Sequence, residues 1–312
     1  MLNGELKVKI LIYFILSVFL FADNLIVPIP KNMPYNKQKA KIGEMLFFDT
    51  ILSKNKTVSC ASCHNPSEGW ADKRKVSIGV YGRKGIIQSP TVLNSRFNFV
   101  QMWDGRFANL KEQINGPIHN PVEMNMSNAL VEKRLNSSKM YKKMFKKVYH
   151  KNYITYNMVT DAISEFEKAL YTPDSKFDLY LKGKSKLNKA EKKGYMLFKS
   201  YGCVICHNGV NVGGNSFQKI GVIHHMKDCA GDRYSFTKNP IDKCVYKVPS
   251  LRNVALTAPY FHNGSAKTLL DAVKMMGYYN LGIKIPENDA KYIVSFLKTL
   301  TGKRPEFLRE KR

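Results

Sequence analysis

Past residue 22 the chain has no apolar run long enough to cross a bilayer, which takes about 20 apolar residues, so its body does not read as membrane-spanning. Strand-like segments are few and short, which argues against a sandwich or barrel and leaves helices and loops. Acidic residues are scarce: 24 Asp and Glu face 50 Lys and Arg, for a formal net charge of +26. A field of that sign favours encounter with anionic lipid or an acidic protein partner. Its plainest reading is a solvated, lysine-rich surface. Cysteine is sparse too, with six in 312 residues, and four of these fall in one pattern used twice.

The start of the chain has its own signature. Lys7 and Lys9 precede an apolar run over 10–22 that Asp23 ends, the pattern of a secretory signal spanning 1–22. Leu20 is not an ideal residue three positions before the cut, and an uncleaved anchor is the alternative. The remaining length suits about two domains, and a hydrophobic fraction of 44% is that of a folded protein.

The repeated pattern is Cys60-Ala61-Ser62-Cys63-His64 and Cys203-Val204-Ile205-Cys206-His207. C-x-x-C-H is the attachment site of a c-type haem: two thiols form thioethers with the haem vinyls, and the adjacent imidazole becomes an iron ligand. One C-x-x-C alone is also a redox disulfide or half a zinc site. Two, each followed by His, point to two covalently bound haem c groups with His64 and His207 on the irons. Haem c is attached outside the bacterial cytoplasm, which agrees with export to the periplasm and removes nucleic acid as a partner. Cys229 and Cys244 remain, either as free thiols or as a disulfide. Closing that loop of about 15 residues would contribute on the order of 3 kcal/mol.

The segments after each motif align. Pro90-Thr-Val-Leu-Asn94 and Trp103-Asp-Gly105 lie over Pro249-Ser-Leu-Arg-Asn253 and His262-Asn-Gly264. Upstream, Gly43–Phe47 matches Gly194–Phe198; downstream, Ile163, Phe166, Lys168 and Leu170 match Ile293, Phe296, Lys298 and Leu300 at helical spacing. Matched landmarks in one order indicate an internal duplication. The expected fold is therefore mainly α: two tandem cytochrome c-like domains, 23–183 and 184–312, each wrapping one covalent haem. The join falls in 172–187, where Pro173, Gly183 and four lysines break the periodicity. Asn188, with Glu191 three residues on, predicts a helix start.

Chemistry is expected where the copies differ. Met275 and Met276 precede the closing helix of the second copy, where a thioether ligand would raise the haem potential. The first copy has no methionine counterpart. Its aligned stretch, Gly116-Pro-Ile-His-Asn-Pro-Val-Glu-Met124, carries His119 and Glu123. An iron without a strong sixth ligand is open to exogenous ligands. A neighbouring carboxylate can take a proton from one peroxide oxygen and return it to the other.

Together with Phe47-Phe-Asp49, Ser89–Asn94, Trp103-Asp-Gly-Arg106, Gly116-Pro117, Pro121-Val-Glu-Met124, Phe177-Asp178 and Leu251–His262, these motifs resemble the bacterial di-haem cytochrome c peroxidases. The methylamine-utilisation di-haem oxidases are a more distant branch. The resemblance covers essentially the whole mature chain. It implies a low-potential peroxidatic haem on Cys60, Cys63 and His64, and a high-potential haem on Cys203, Cys206 and His207 with Met276 as its second ligand. Met276 is preferred over Met275 because it lies 14 residues after His262, the spacing of the family. Glu123 is implied as the acid–base carboxylate, Gln113 as its neighbour, and Trp103 as the π-system between the haems. A Ca²⁺ between the domains is implied on the carbonyls of Thr257 and Pro259 and on Gln88, which stands where the family usually has Asn.

One position departs from the pattern. Many relatives carry a His in a Ser-Ile-Gly-His loop that caps the peroxidatic iron, and here Ser77-Ile78-Gly79 is followed by Val80. Either the first iron is open in the oxidised protein, or another residue such as His119 replaces the cap. His262 reads as a supporting residue, and His150, His224 and His225 as surface residues. The function implied is reduction of H₂O₂ to water with electrons from a small cytochrome c-like protein. The alternatives are a di-haem oxidase acting on a protein substrate and a non-catalytic electron carrier. A homodimer is possible within the family, and membrane association is not expected once the signal is removed.

Overall fold

The computed structural model describes residues 25–309. The secretory-signal reading of 1–22 lies outside the described residues.

The first core is made by α1 (Lys37–Phe48), α2 (Asn128–Ser137), α3 (Lys139–Tyr149) and α4 (Tyr156–Ala169). Side-chain oxygens open three of them: Asn36 accepts from the Lys39 N–H, Ser127 from Leu130 and Ser138 from Tyr141. Their apolar faces bring Leu46, Val131, Phe145 and Ile163 into one buried cluster. A second cluster gathers around α5 (Lys176–Leu181), α6 (Lys189–Ser200), α7 (Leu269–Met276) and α8 (Glu287–Lys298). The helix start predicted at Asn188 is present as a reciprocal cap with Glu191, each bond 2.8 Å.

The two main helix pairs are built alike. α1 crosses α4 at Gly43, where any side chain would overlap the Ala162 carbonyl; α6 crosses α8 at Gly194, where it would overlap that of Tyr292. Phe166 stacks edge-on to Phe47 at 5.3 Å, and Phe296 packs against Phe198 at 5.1 Å. Close backbone approach explains why each helix carries a glycine mid-length despite its helical cost.

Two segments cross between the cores. Ile26 is fully buried in the second cluster and bridges Gly209, while Phe307 and Leu308 pack with Ala40, Phe47 and Phe166. Arg252 and Asp178 form a fully buried ion pair at 2.7 Å. Arg252 also donates to the Val27 carbonyl (2.8 Å), and Asp178 accepts from the Ile29 N–H (3.4 Å), which ties 27–29 to the second core. An unpaired charge in either place would be severely destabilising.

The strand content is as small as the sequence predicts. β1 (Phe217–Lys219) pairs antiparallel with β2 (Val245–Lys247), with Phe217 opposite Lys247. Cys229 and Cys244 are joined as a disulfide across the loop between these strands. No described helix is long and apolar enough to cross a membrane.

Candidate active site

Each C-x-x-C-H segment is a single tight turn directly after a main helix or its following loop. Cys60–Ser62 forms a 3₁₀ turn opened by Ser59, and Cys203–Cys206 one helical turn after Gly202 in the left-handed conformation. The amide of His64 donates to the carbonyl of Cys60 (3.0 Å), and that of His207 to Cys203 (3.0 Å). All four cysteines are unbridged. Among the described residues no three His, Cys, Asp or Glu side chains converge as a metal cage. Burial raises all four thiols, Cys203 to about 11, so none is a stabilised thiolate.

A continuous cavity of about 840 Å³ is lined by both motifs. His64 and His207 stand half-buried in its wall, and desolvation lowers both pKa values, His207 to about 4, so both imidazoles are neutral at pH 7. Carbonyls of Trp70 and Pro90 neighbour His64, and those of Val212 and Pro249 neighbour His207. Even so, Nδ1 of each ring is buried without a partner at full hydrogen-bond geometry. A ligating imidazole donates its other N–H to such a carbonyl. Neutral rings, paired thiols and an apolar hollow of this size fit two haem groups.

The structure brings Gln88, Trp103, Gln113, Glu123, Thr257, Pro259 and Met276 onto the wall of that cavity. Trp103 is buried, donates from Nε1 to the Gln88 carbonyl (2.9 Å), and meets His262 and Tyr246 edge-on at 6.4 and 6.2 Å. Glu123 accepts from Asn120 Nδ2 (2.7 Å); burial raises its pKa, while Asn120 and the positive charge of Arg106 oppose the rise. Met276 lines the cavity and Met275 does not.

Other histidines are accounted for. His119 does not line the cavity, although its neighbours Ile118 and Asn120 do. Its Nε2 lies 2.7 Å from Asn128 Oδ1, and its ring stacks on Tyr156 at 5.5 Å. Val80 is fully buried, its N–H donating to the Glu123 carbonyl at 2.8 Å. Among the described residues the only imidazoles on the cavity wall are therefore His64, His207 and His262. His262 is bonded through Nε2 to the Asp228 carbonyl (2.9 Å) and stacked on Tyr246. His150 and His225 are exposed; His224 instead stacks on Tyr278 at 4.1 Å, an aromatic contact that shields one face of the ring.

Glu167 was not singled out from the sequence. It is buried on α4, lines the cavity, and accepts from Gln113 Nε2 at 3.0 and 3.1 Å. Burial raises its pKa to about 8, against the opposing pull of Gln113. A signal was available: Glu167 stands where the other copy has Leu297, a buried core residue. A carboxylate at a core position of only one copy is out of place for packing.

The comparisons agree with this geometry. The sequence profile described as di-haem cytochrome c peroxidase matches residues 37–186. The chain is 47% identical over 289 residues to cytochrome c551 peroxidase of Nitrosomonas europaea, covering 92% of this chain and 86% of that one. It is 44% identical over 291 residues to cytochrome c peroxidase Ccp of Escherichia coli, covering 91% of this chain and 62% of that longer protein. The crystal structure of a MauG-like protein associated with microbial copper homeostasis superposes with a TM-score of 0.78 at 28% identity, over 89% of this chain and 93% of that one. A predominantly helical protein with two c-type motifs on one cavity is thereby placed in a class. The chain belongs to the di-haem cytochrome c peroxidase family, oxidoreductases that use peroxide.

Proposed function

We propose that this protein reduces H₂O₂ to water at a haem held by Cys60, Cys63 and His64. Electrons would reach it from a small cytochrome c-like donor through a second haem on Cys203, Cys206 and His207. The observation that carries this reading is Glu123, a half-buried carboxyl whose proton affinity is raised by desolvation, opening on the same cavity as His64. When bound, the haem irons supply the redox chemistry, passing two electrons to peroxide, which with two protons gives two waters.

The chain's own residues manage protons and position. Glu123 takes the proton from one peroxide oxygen and returns it to the leaving oxygen, a role suited to a carboxyl whose pKa lies above the ordinary range. Asn120 fixes the orientation of that carboxyl. Gln113, held by both oxygens of Glu167, presents its amide to the same space. Trp103 offers a rigid π-surface between the two motifs. Met276 would give the second iron its thioether ligand, which stabilises the reduced state. Residues 23–183 and 184–312 are the two tandem, duplicated domains of this reading, supported by the matched crossings at Gly43 and Gly194.

Ca²⁺ would bind the carbonyls of Thr257 and Pro259 and the Gln88 side chain, an all-oxygen set of the kind the ion prefers. Gln88 Nε2 is engaged by the Asp72 carbonyl (2.9 Å), which leaves the amide oxygen as the atom offered to a cation. Haem c attachment and the basic, apolar start of the chain support a periplasmic location.

The test is peroxide-dependent oxidation of a reduced small cytochrome c by the holoprotein. Stoichiometric consumption of two reduced cytochromes per H₂O₂ is expected. No consumption, with both haems present and reducible, sinks the peroxidase reading and favours the oxidase or carrier.

A further inference from the structure

Lys247 is a buried cation without an answering charge. It lies on β2 with 7% of its surface exposed and lines the cavity. Among the described residues it enters no ion pair, and burial is the one influence on its pKa, which falls to about 8. Taking an ammonium out of water without a counter-charge is costly, and a side chain in that place is ordinarily apolar or paired. The carboxylates on the same wall are occupied elsewhere: Glu123 with Asn120 and Glu167 with Gln113. Arg106, by contrast, is answered by Asp104 at 2.6 Å.

Its place is fixed by a crossed pair of backbone bonds. The Gln88 N–H donates to the His262 carbonyl (2.7 Å), and the Lys247 N–H donates to the Trp103 carbonyl (2.8 Å). Gln88 and Lys247 each stand two residues before the proline of the matched Pro90 and Pro249 segments, and Trp103 and His262 are matched in turn. Each half thus pins the other at the middle of the cavity. One side offers the oxygen of Gln88 to a cation; the equivalent place on the other side carries its own cation, the ammonium of Lys247.

We propose that Lys247 pairs with a propionate carboxylate of a haem seated in this cavity and is a binding residue for the acidic edge of the cofactor. The inference rests on the two-haem reading above. A haem arrives with carboxylates that must be neutralised where water is excluded, and Lys247 is a buried positive charge left for them. The pair holds the haem edge beside Trp103 and favours the reduced state of the iron, because a nearby positive charge offsets the electron added.

Lys247→Met and Lys247→Arg holoproteins test the pair. Haem content is measured first by pyridine haemochrome and intact mass; a wild-type chain without two haems fails the underlying reading, not this one. Potentiometric titration of both haems is then compared. Lys247→Met is expected to shift one haem toward the oxidised form by about tenfold in its reduction equilibrium constant, about 59 mV, with Lys247→Arg within about twofold of wild type. Unchanged midpoints in Lys247→Met overturn the proposal, as does an equal fall in both variants, which would mark a packing defect. If Lys247→Met does not retain haem, infrared spectra of wild type and Lys247→Arg, carrying haem labelled with carbon-13 at its carboxyls, decide. One shifted carboxylate band supports the pair, and identical bands overturn it.

Discussion

Asn94 and Asn253 donate their side-chain amides to one hydroxyl, that of Thr172, each at 2.9 Å. Both hold left-handed backbone, with φ of 62° and 61°. The Thr172 N–H returns a bond to Asn94 Oδ1 (2.8 Å), and the Gly302 N–H closes on Asn253 Oδ1 (3.0 Å). All three polar side chains are buried. Two asparagines at matching places in the repeat therefore meet on Thr172, three residues past the end of α4.

Thr172→Val keeps the shape and removes the shared acceptor. Each buried amide then loses a partner, at about 1–3 kcal/mol per unsatisfied group. Denaturant unfolding should show a loss within the sum of the two. A change below about 0.5 kcal/mol would mean that water replaces the hydroxyl and that the junction is not a source of stability.

Glu123→Gln should leave both haems attached and reducible while peroxide turnover falls about 100-fold or more, the usual scale for a lost general acid–base. Turnover within about threefold of wild type would remove Glu123 from proton transfer and turn attention to Glu167.

Met276→His should lower the midpoint potential of one haem, since harder nitrogen ligation favours the ferric state, and peroxidase activity should fall with it. Met275→His, away from the cavity wall, should change neither. The opposite pattern in a redox titration would reverse the ligand assignment.

With Val80 buried and His119 engaged by Asn128 and Tyr156, no described imidazole besides His64, His207 and His262 lines the cavity, and on the proposed reading the first haem would lack a histidine cap. Electron paramagnetic resonance of the oxidised protein should show one high-spin and one low-spin ferric centre, and turnover should begin without a reductive lag. His119→Ala should leave both signals in place. Two low-spin signals in wild type, one of them lost in His119→Ala, would restore His119 as the cap.

Glu167 should leave a mark on stability against pH. Its pKa is about 8 in the folded chain and near the ordinary carboxyl value when unfolded, so the folded state holds the extra proton between those values. Stability from this group is full below the unfolded pKa and is lost as pH rises through about 8. Glu167→Gln removes that loss. The variant should match wild type near pH 4 and exceed it near pH 8, by an amount on the order of 4 kcal/mol at most. Parallel melting curves across that range would show that Glu167 is ionised in the fold.

Much of this was legible from residue types alone. C-x-x-C-H, the matched Pro-Asn segments and the Asn188 cap are local patterns whose chemistry does not depend on distant partners. Glu123, Gln113, Trp103 and Met276 reach one cavity because the family motifs carry long-range information in short words. Three things were not legible. Whether His119 turns toward or away from the cavity depends on Asn128 and Tyr156, which spacing does not reveal. Glu167 sits in a helix whose periodicity reads as ordinary core, and only its comparison with Leu297 makes it unusual. Ile26 is a single apolar residue in an irregular segment and Phe307 sits in a one-turn helix, and nothing local states which core receives them.

That exchange of chain ends bears on how the molecule can be made. Residues 26–29 wait for Gly209, Asp178 and Arg252, and Phe47 and Phe166 wait for Phe307. A polypeptide emerging from the ribosome or a translocation pore, first residue leading, has the whole first helical core in hand and still cannot seal it. Residues 26–29 have no seat until Arg252 is made, and the apolar space beside Phe166 takes Phe307 later still. Packing of both cores is therefore complete only when segments far apart in sequence have met.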